Sequence, residues 1–350
     1  MWYVFDTFFV LKGIVSDFSE MTISHKFYEV DTMSFAIPFD KETYETLSIG
    51  RILWRKDSKK GFMIHTLEIK ESDHQIWGYA YGLESLLDYR VVLFPENYQT
   101  NHETIMHELV NKHLINSGMN YRNIANLTKG TNGNRGVVSE ESYFGESLYN
   151  IFTELAKRSS IGFNIFFQPE EKQFVFETKQ GTNRTSEQRE NVQIIWKHEW
   201  NSTYDEVLTY SEKDSKNVMY IISGDEIPVQ ISIGDEFAFK SGWNRKETFT
   251  QATDITKTLQ DENQTQLTLA QVYALLRSRG KLEMLSHRPL NDYSFNLSEG
   301  IYEVYGVDYL EGDYVSVVHE TYGLIKHAQI TTVEERILGN VSQFSIKFDE

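Results

Sequence analysis

His102, His107 and His113 are the densest set of metal-type ligands in the chain. Zinc-protease chemistry needs H-E-x-x-H, because residues at i and i+4 place both imidazoles on one helix face. His102 and His107 are spaced i, i+5, about 140° apart around a helix at ~100° per residue. His113 follows six residues later, on a different face again. This spacing predicts solvated helix histidines and no metal site. Gly145-Glu-Ser-Leu-Tyr149 begins like a nucleophile elbow, but tyrosine stands where the tight turn requires glycine. Gly130-Thr-Asn-Gly-Asn-Arg-Gly136 is glycine-rich but lacks Gly-Lys-Ser/Thr, so it reads as an ordinary mobile loop rather than a phosphate cradle. Glycosidic hydrolysis needs two carboxyl groups about 5–10 Å apart across a cleft. The adjacent pairs Glu140-Glu141, Glu170-Glu171 and Glu334-Glu335 give no such evidence and read as solvated turns and strand edges. With no cysteine, thiolate ligands, disulfides and a cysteine nucleophile are excluded. The chain is therefore expected to be no enzyme, with no catalytic, cofactor-binding or metal residue to name and no cofactor.

Composition narrows the class. Lys and Arg total 34 against 51 Asp and Glu, a net charge of −17 that argues against a basic face reading nucleic acid. Aromatic residues make up 14% of the chain and proline only five residues, which favours strands over disorder. Met1-Trp-Tyr-Val-Phe-Asp6 has no basic segment before its apolar run, and no stretch approaches the ~18 apolar residues of a membrane span. A soluble, non-secreted, β-rich protein is expected. Length alone favours two or three domains.

The elements follow in blocks. Residues 1–95 read as strands, with a hairpin between Phe62–Ile69 and Ile76–Tyr81 and a helical excursion over Asp40–Leu47. Trp77, Tyr79 and Tyr81 alternate with Ile76, Gly78 and Ala80, a pattern that reads chiefly as core, with sugar stacking as the other reading. Leu83, Leu86 and Leu87 switch to helical spacing. Residues 96–187 form an α+β module: Thr100 to Glu103 as a capping box, one helix from there toward Gly118, a second carrying Leu148, Ile151, Phe152 and Leu155, and a hairpin around Pro169. Residues 188–350 return to strands, with a helical insertion near 250–282 whose helix spans about 266–279 and ends at Gly280.

The order of several weak motifs resembles the siphophage tail-associated hub family, which is similar in fold to the central hub of contractile phage baseplates. The likeness rests on Gly13 to Phe18, Ser24 to Glu29, Phe35 to Pro38 and Ile49 to Leu53, then on Tyr81 to Val92 with Gly82, Asp88 and Arg90. It continues through Gly181 to Thr185 with Arg184, Asn191 to Ile195, Lys216-Asn217 to Gly224, Arg279-Gly280 and Tyr305 to Val315. Asp31-Thr32 departs from it, because relatives commonly place glycine there. Read without the resemblance, Gly82 is a bend, Asp88 a helix-surface acid, Arg90 and Arg184 neutralise nearby acids, and Asn217 is a bulge or turn residue.

The resemblance implies an α+β, β-rich fold: two tube-type antiparallel β domains flank a smaller α+β domain. It implies a structural hub of a phage tail tip or baseplate, a homotrimeric ring adapting the hexameric tail tube to the tip and lining or capping the DNA channel. Implied partners are a distal tail protein, a tape measure protein and other tail-tip components, with no sequence-specific nucleic acid. The protein would be made in the host cytoplasm and reside in the virion. A host cell-wall carbohydrate-binding tip protein is the alternative, and a wall hydrolase a third. Joined to the net charge, the hub reading predicts an acidic channel wall that does not hold DNA.

Overall fold

The computed structural model describes residues 1–349 apart from 57, 233–240, 259–265, 299–300 and 340. Period-two alternation builds the first block: β1 (Trp2–Phe5), β2 (Leu11–Val15), β3 (Glu20–Lys26), β4 (Thr32–Pro38), β5 (Ile52–Trp54), β6 (Gly61–Lys70) and β7 (Gln75–Gly82). The short helix α1 (Lys41–Thr46) starts where the Asp40 carboxylate accepts from the Thr43 N–H. On β3, Met21 and Ile23 point into the core while Thr22 and Ser24 do not. On β7 the expected inward aromatics are reversed. Ile76, Gly78 and Ala80 face the core, and Tyr79 and Tyr81 are exposed at 44% and 42%. The cause is Phe35 on β4, whose ring lies against Gly78; a Cβ there would stand 2.0 Å from it, so only glycine fits.

The middle block contains β8 (Glu96–Asn101), α2 (His102–Val110), β9 (Leu127–Lys129), β10 (Val138–Tyr143), α3 (Leu148–Ser159), β11 (Ile161–Gln168) and β12 (Gln173–Gln180). Ile105, Met106 and Leu109 of α2 share a core with Ile151, Phe152 and Leu155 of α3 and Phe163 and Phe176 of the hairpin. Sequence spacing misplaces several features here. The cap of α2 is Asn101, which accepts from the Thr104 N–H at 2.9 Å, because strand pairing holds β8 through Asn101. His102, His107 and His113 are buried rather than solvated. The expected mobile loop is tied down by Arg135, which pairs with the buried Glu103 carboxylate. Glu141 and Glu335 are likewise buried, held by Arg158 and Arg55, whereas Glu170 and Glu171 lie in an exposed turn as expected.

The last block holds β13 (Ile195–Lys197), β14 (Thr203–Ser211), β15 (Val218–Ser223), β16 (Pro228–Ser232), β17 (Glu247–Ala252), α4 (Leu269–Met284), β18 (Leu290–Leu297), β19 (Tyr314–His319), β20 (Leu324–Gln329), β21 (Thr332–Leu338) and β22 (Val341–Asp349). A Thr268–Gln271 capping box starts α4, which packs Val272, Leu275 and Leu276 on the β16–β15–β17 sheet. The helix runs four residues past Gly280, which is internal: its missing side chain makes room for Ile231, 2.7 Å from where a Cβ would be. β13, β19 and β20 form a separate sheet.

Eleven strands from the first and last blocks make one sheet, in the order β14-β18-β22-β21-β3-β4-β7-β6-β5-β1-β2. The two blocks meet at β21 and β3, antiparallel from Thr332↔Lys26 to Leu338↔Glu20. The result is α+β and β-rich, as the resemblance implied.

Just beyond β3, the buried ring of Phe27 reaches the point where all three blocks touch. Gly162 of β11 and Gly312 before β19 close on it; a Cβ would stand 2.6 Å and 2.2 Å from the ring, respectively. Gly312 also has φ +99°, a backbone state that side chains resist. Gly312→Ala is expected to destabilise the chain by about 3 kcal/mol through overpacking and strain. Phe27→Ala alone should cost about 3–5 kcal/mol. The double variant should cost at least ~1 kcal/mol less than the sum, because removing the ring vacates the space the new methyl needs. Urea denaturation of the four proteins checks this; strict additivity would show that Phe27 and Gly312 do not share a contact.

Candidate functional site

Directly beside Phe27 lies a buried cluster of charge. Lys60, immediately before β6, extends between Asp31 and Glu311, with its Nζ 2.7 Å from a carboxylate oxygen of each. Lys179 of β12 pairs with the same Glu311, and the Tyr305 hydroxyl donates to its other oxygen at 2.7 Å. Asp31 accepts from the Lys26 N–H at 2.7 Å, and His25 Nδ1 lies 3.1 Å from it. Burial works against both carboxylates. Lys60 overrides it at Asp31, while Lys179 and Lys60 override it at Glu311, so both are held below the usual carboxylate range. Glu84 sits behind them and differs. Burial, reinforced by the Asp31 charge, raises its carboxyl to about 7, while Asn164 Nδ2 and the Ile165 N–H donate to its Oε1 at 2.9 and 3.2 Å. One cluster thus joins β3, β6 and the turn after β7 to β11, β12 and the segment before β19.

Most of the residues that carry the family resemblance serve the same end. Asp88 accepts from Ser147, the α3 cap, at 2.6 Å, and Arg90 donates to the Arg122 carbonyl at 2.8 Å. Arg184 donates to Asp313 at 2.9 Å, and Gly181 lets its backbone press against the Gly312 carbonyl, where a Cβ would come within 1.6 Å. Arg279 joins Glu146 of the middle block at 2.8 Å, and Asn217 bonds to the backbone of both Asn244 and Lys246. These residues clamp segments far apart in sequence. Asp31, the departure from the pattern, lies at the centre of the cluster. Sequence reasoning missed Lys60, Glu84, Lys179 and Glu311, since nothing local marks a charge as buried.

Among the described residues, the eleven-stranded sheet has two edges. β2 and β14 terminate the eleven-stranded sheet, each bonded to a neighbour on one side. Leu11 and Ile14 on β2, and Val207, Leu208 and Tyr210 on β14, are exposed. Val207 and Leu208 are consecutive, so both faces of β14 carry apolar side chains into solvent. Outward from β3, β4 and β7, a shallow groove is lined by Thr22, Ser24, Thr32, Ser34, Tyr79 and Tyr81. Among the described residues, His198, Glu206 and His319 are the group of three whose ligand atoms are close enough to share an ion. They come from three separate elements, beyond the reach of any spacing rule.

Comparison with known proteins gives three findings. A profile of the family described as Siphovirus ReqiPepy6 Gp37-like protein matches residues 1–346. The prophage tail protein gp18 from Listeria monocytogenes EGD-e is similar over 100% of this chain and 94% of its own, at 12% identity and a TM-score of 0.50. The 43 kDa tail protein of prophage MuSo2 from Shewanella oneidensis is similar over 96% and 94%, at 10% identity and a TM-score of 0.50. At such identities the likeness shows the fold alone. Among curated protein sequences, none matches.

The charged cluster predicts a specific pH response. Glu84 stays protonated in the fold up to about 7, whereas in the unfolded chain its carboxyl ionises near 4.5. Its contribution is complete below the unfolded value and is lost as pH rises through the folded one. Glu84→Gln keeps the oxygen that accepts from Asn164 and Ile165 and cannot ionise. Its stability relative to the parent should be unchanged at pH 4 and higher by on the order of 1–3 kcal/mol at pH 8. Urea denaturation at the two pH values reads this difference; equal offsets at both would show that Glu84 titrates normally.

Proposed function

The chain belongs to the Siphovirus ReqiPepy6 Gp37-like family of phage tail proteins, and on that premise we propose that it is a structural hub of the tail tip. Three copies form a ring that adapts the hexameric tail tube to a threefold tip and lines or caps the DNA channel. Its partners in the virion are its own copies, a distal tail protein, a tape measure protein and other tail-tip components. The three-block division at 1–95, 96–187 and 188–350 belongs to this reading, each copy giving two tube-like β blocks to the ring.

One observation carries it: a single sheet of eleven strands ends in two exposed apolar edges. Such edges are aggregation hazards in an isolated protein and assembly surfaces in an oligomer. Within one chain, β21 and β3 already show how a last-block strand pairs with a first-block strand. Repeating that joint between β14 of one copy and β2 of the next closes a ring in which intrachain and interchain seams alternate. Nothing in this scheme needs catalysis, which fits a structural role. Where β3 and β21 lie side by side, the outward side chains mix hydroxyls with Glu20 and Glu334 and with Lys26 and Arg336, a balanced face rather than a run of lysines and arginines. That suits a wall past which DNA must slide.

A second reading, a carbohydrate-binding tip protein, draws on the outward turn of Tyr79 and Tyr81 beside Thr22, Ser24, Thr32 and Ser34. Aromatic faces among hydroxyls suit sugar rings. Retention on purified host cell wall, lost in Tyr79→Ala, would favour it over the hub.

The ring is tested by light scattering at ~100 μM and by the copy number in the particle, where threefold stoichiometry is expected. Ile14→Glu and Leu208→Glu each place a charge on one edge. Each should leave monomer stability within about 0.5 kcal/mol and weaken assembly. A stable dimer, six copies per particle, or assembly indifferent to both variants would refute the scheme. Titration with duplex DNA at ~50 mM salt should show no tight, salt-sensitive binding.

A further inference from the structure

We propose that His198, Glu206 and His319 bind a divalent transition-metal ion of the zinc class, tying edge strand β14 to the β13–β19–β20 sheet. The three ligand atoms lie within 4.8 Å of one another. His198 Nδ1 is 3.0 Å from Glu206 Oε1, and His319 Nε2 is 3.2 Å from Glu206 Oε2. Ligands about 2.1 Å from a tetrahedral ion stand about 3.4 Å apart, so the carboxylate already keeps ligand spacing from each imidazole. Three protein ligands leave a fourth position for water, and His198, on the solvent side with 45% of its side chain exposed, leaves a way in.

The surroundings are those a metal ligand needs. Glu206 follows Asp205, whose φ of +52° marks a break in the β14–β18 register between Tyr204 and Val207. Such an irregularity re-aims a side chain, and here Glu206 turns toward the histidines. Thr203 donates its hydroxyl to Glu206 Oε1, fixing the carboxylate. His319 is buried, its ring stacked on Tyr322 at 4.2 Å. Its Nδ1 is buried without a hydrogen-bond partner and faces Glu199 Oε1 across 3.8 Å. An ion at Nε2 places the remaining imidazole proton on Nδ1, facing that carboxylate, the usual support of a metal-bound histidine.

The two imidazoles lie nearly parallel, 4.3 Å apart. Coordination requires the lone pairs to converge, so the His198 ring must swing out of the stack while Glu206 and His319 hold their places. The site stands apart from the ring scheme: it ties β14 within one chain, and either can fail without the other.

The test uses untagged full-length protein, stripped with a chelator and titrated with Zn²⁺ or Co²⁺. One ion per chain is expected, with a rise in Tm at saturating Zn²⁺ and visible absorption typical of tetrahedral Co²⁺. His198→Ala alters an exposed side chain and Glu206→Gln is isosteric, so both should fold. Each should weaken binding about tenfold or more and abolish the Zn²⁺-dependent rise in Tm. Failure to bind one ion per chain, or equal binding by the parent and both variants, would overturn the proposal.

Discussion

The placement of Lys60 constrains most of this structure. A lysine taken out of water is tolerated only where anions meet it at short range, and Asp31 and Glu311 come from opposite ends of the chain. Burying such a group adds little net stability, because desolvation offsets much of the attraction. What it adds is discrimination. Any arrangement of the three blocks that misplaces β3, β6, β12 or the segment before β19 leaves at least one of these charges buried without a counter-ion. Phe27 makes the same demand in steric terms, since its ring fits only between two residues that lack a Cβ.

That division explains what the sequence shows and what it hides. Local periodicity reveals the β6–β7 hairpin, α1, and the apolar face of α3, because each depends on neighbours a few residues away. It fails where a distant group decides. Gly78 reads as one more position in an aromatic strand until Phe35 is seen against it, and Gly280 reads as a helix stop until Ile231 is. His102 reads as a solvated helix residue and Glu103 as the end of a capping box, yet both are buried, and Glu103 meets an arginine 32 positions along the chain. Order of motifs carried more than any single motif. Of the residues that form it, Asp88, Arg90, Arg184 and Arg279 make contacts between blocks, whereas Asn217 ties two segments within the last block.

The candidate functional surfaces were the least legible part. Edge strands are defined by what does not pair with them, and that follows only from the whole strand order. Val207 and Leu208 could equally belong to a central strand buried on both faces. Likewise, His198, Glu206 and His319 span more than a hundred residues and meet through a break in strand register that no repeat announces.

The seam between β3 and β21 also has a consequence in time. β3 emerges early from the ribosome, but its partner on that side lies more than three hundred residues downstream. Until β21 arrives, β3 stands as an open edge, and β14 has no route into the large sheet except through β18, β22 and β21. Closure of such a distant pairing is slow, because the loop entropy precedes the contacts that offset it. The sheet therefore completes only once β21 and β22 have been synthesised. Its outermost strand, β14, gains a fixed position at the same moment.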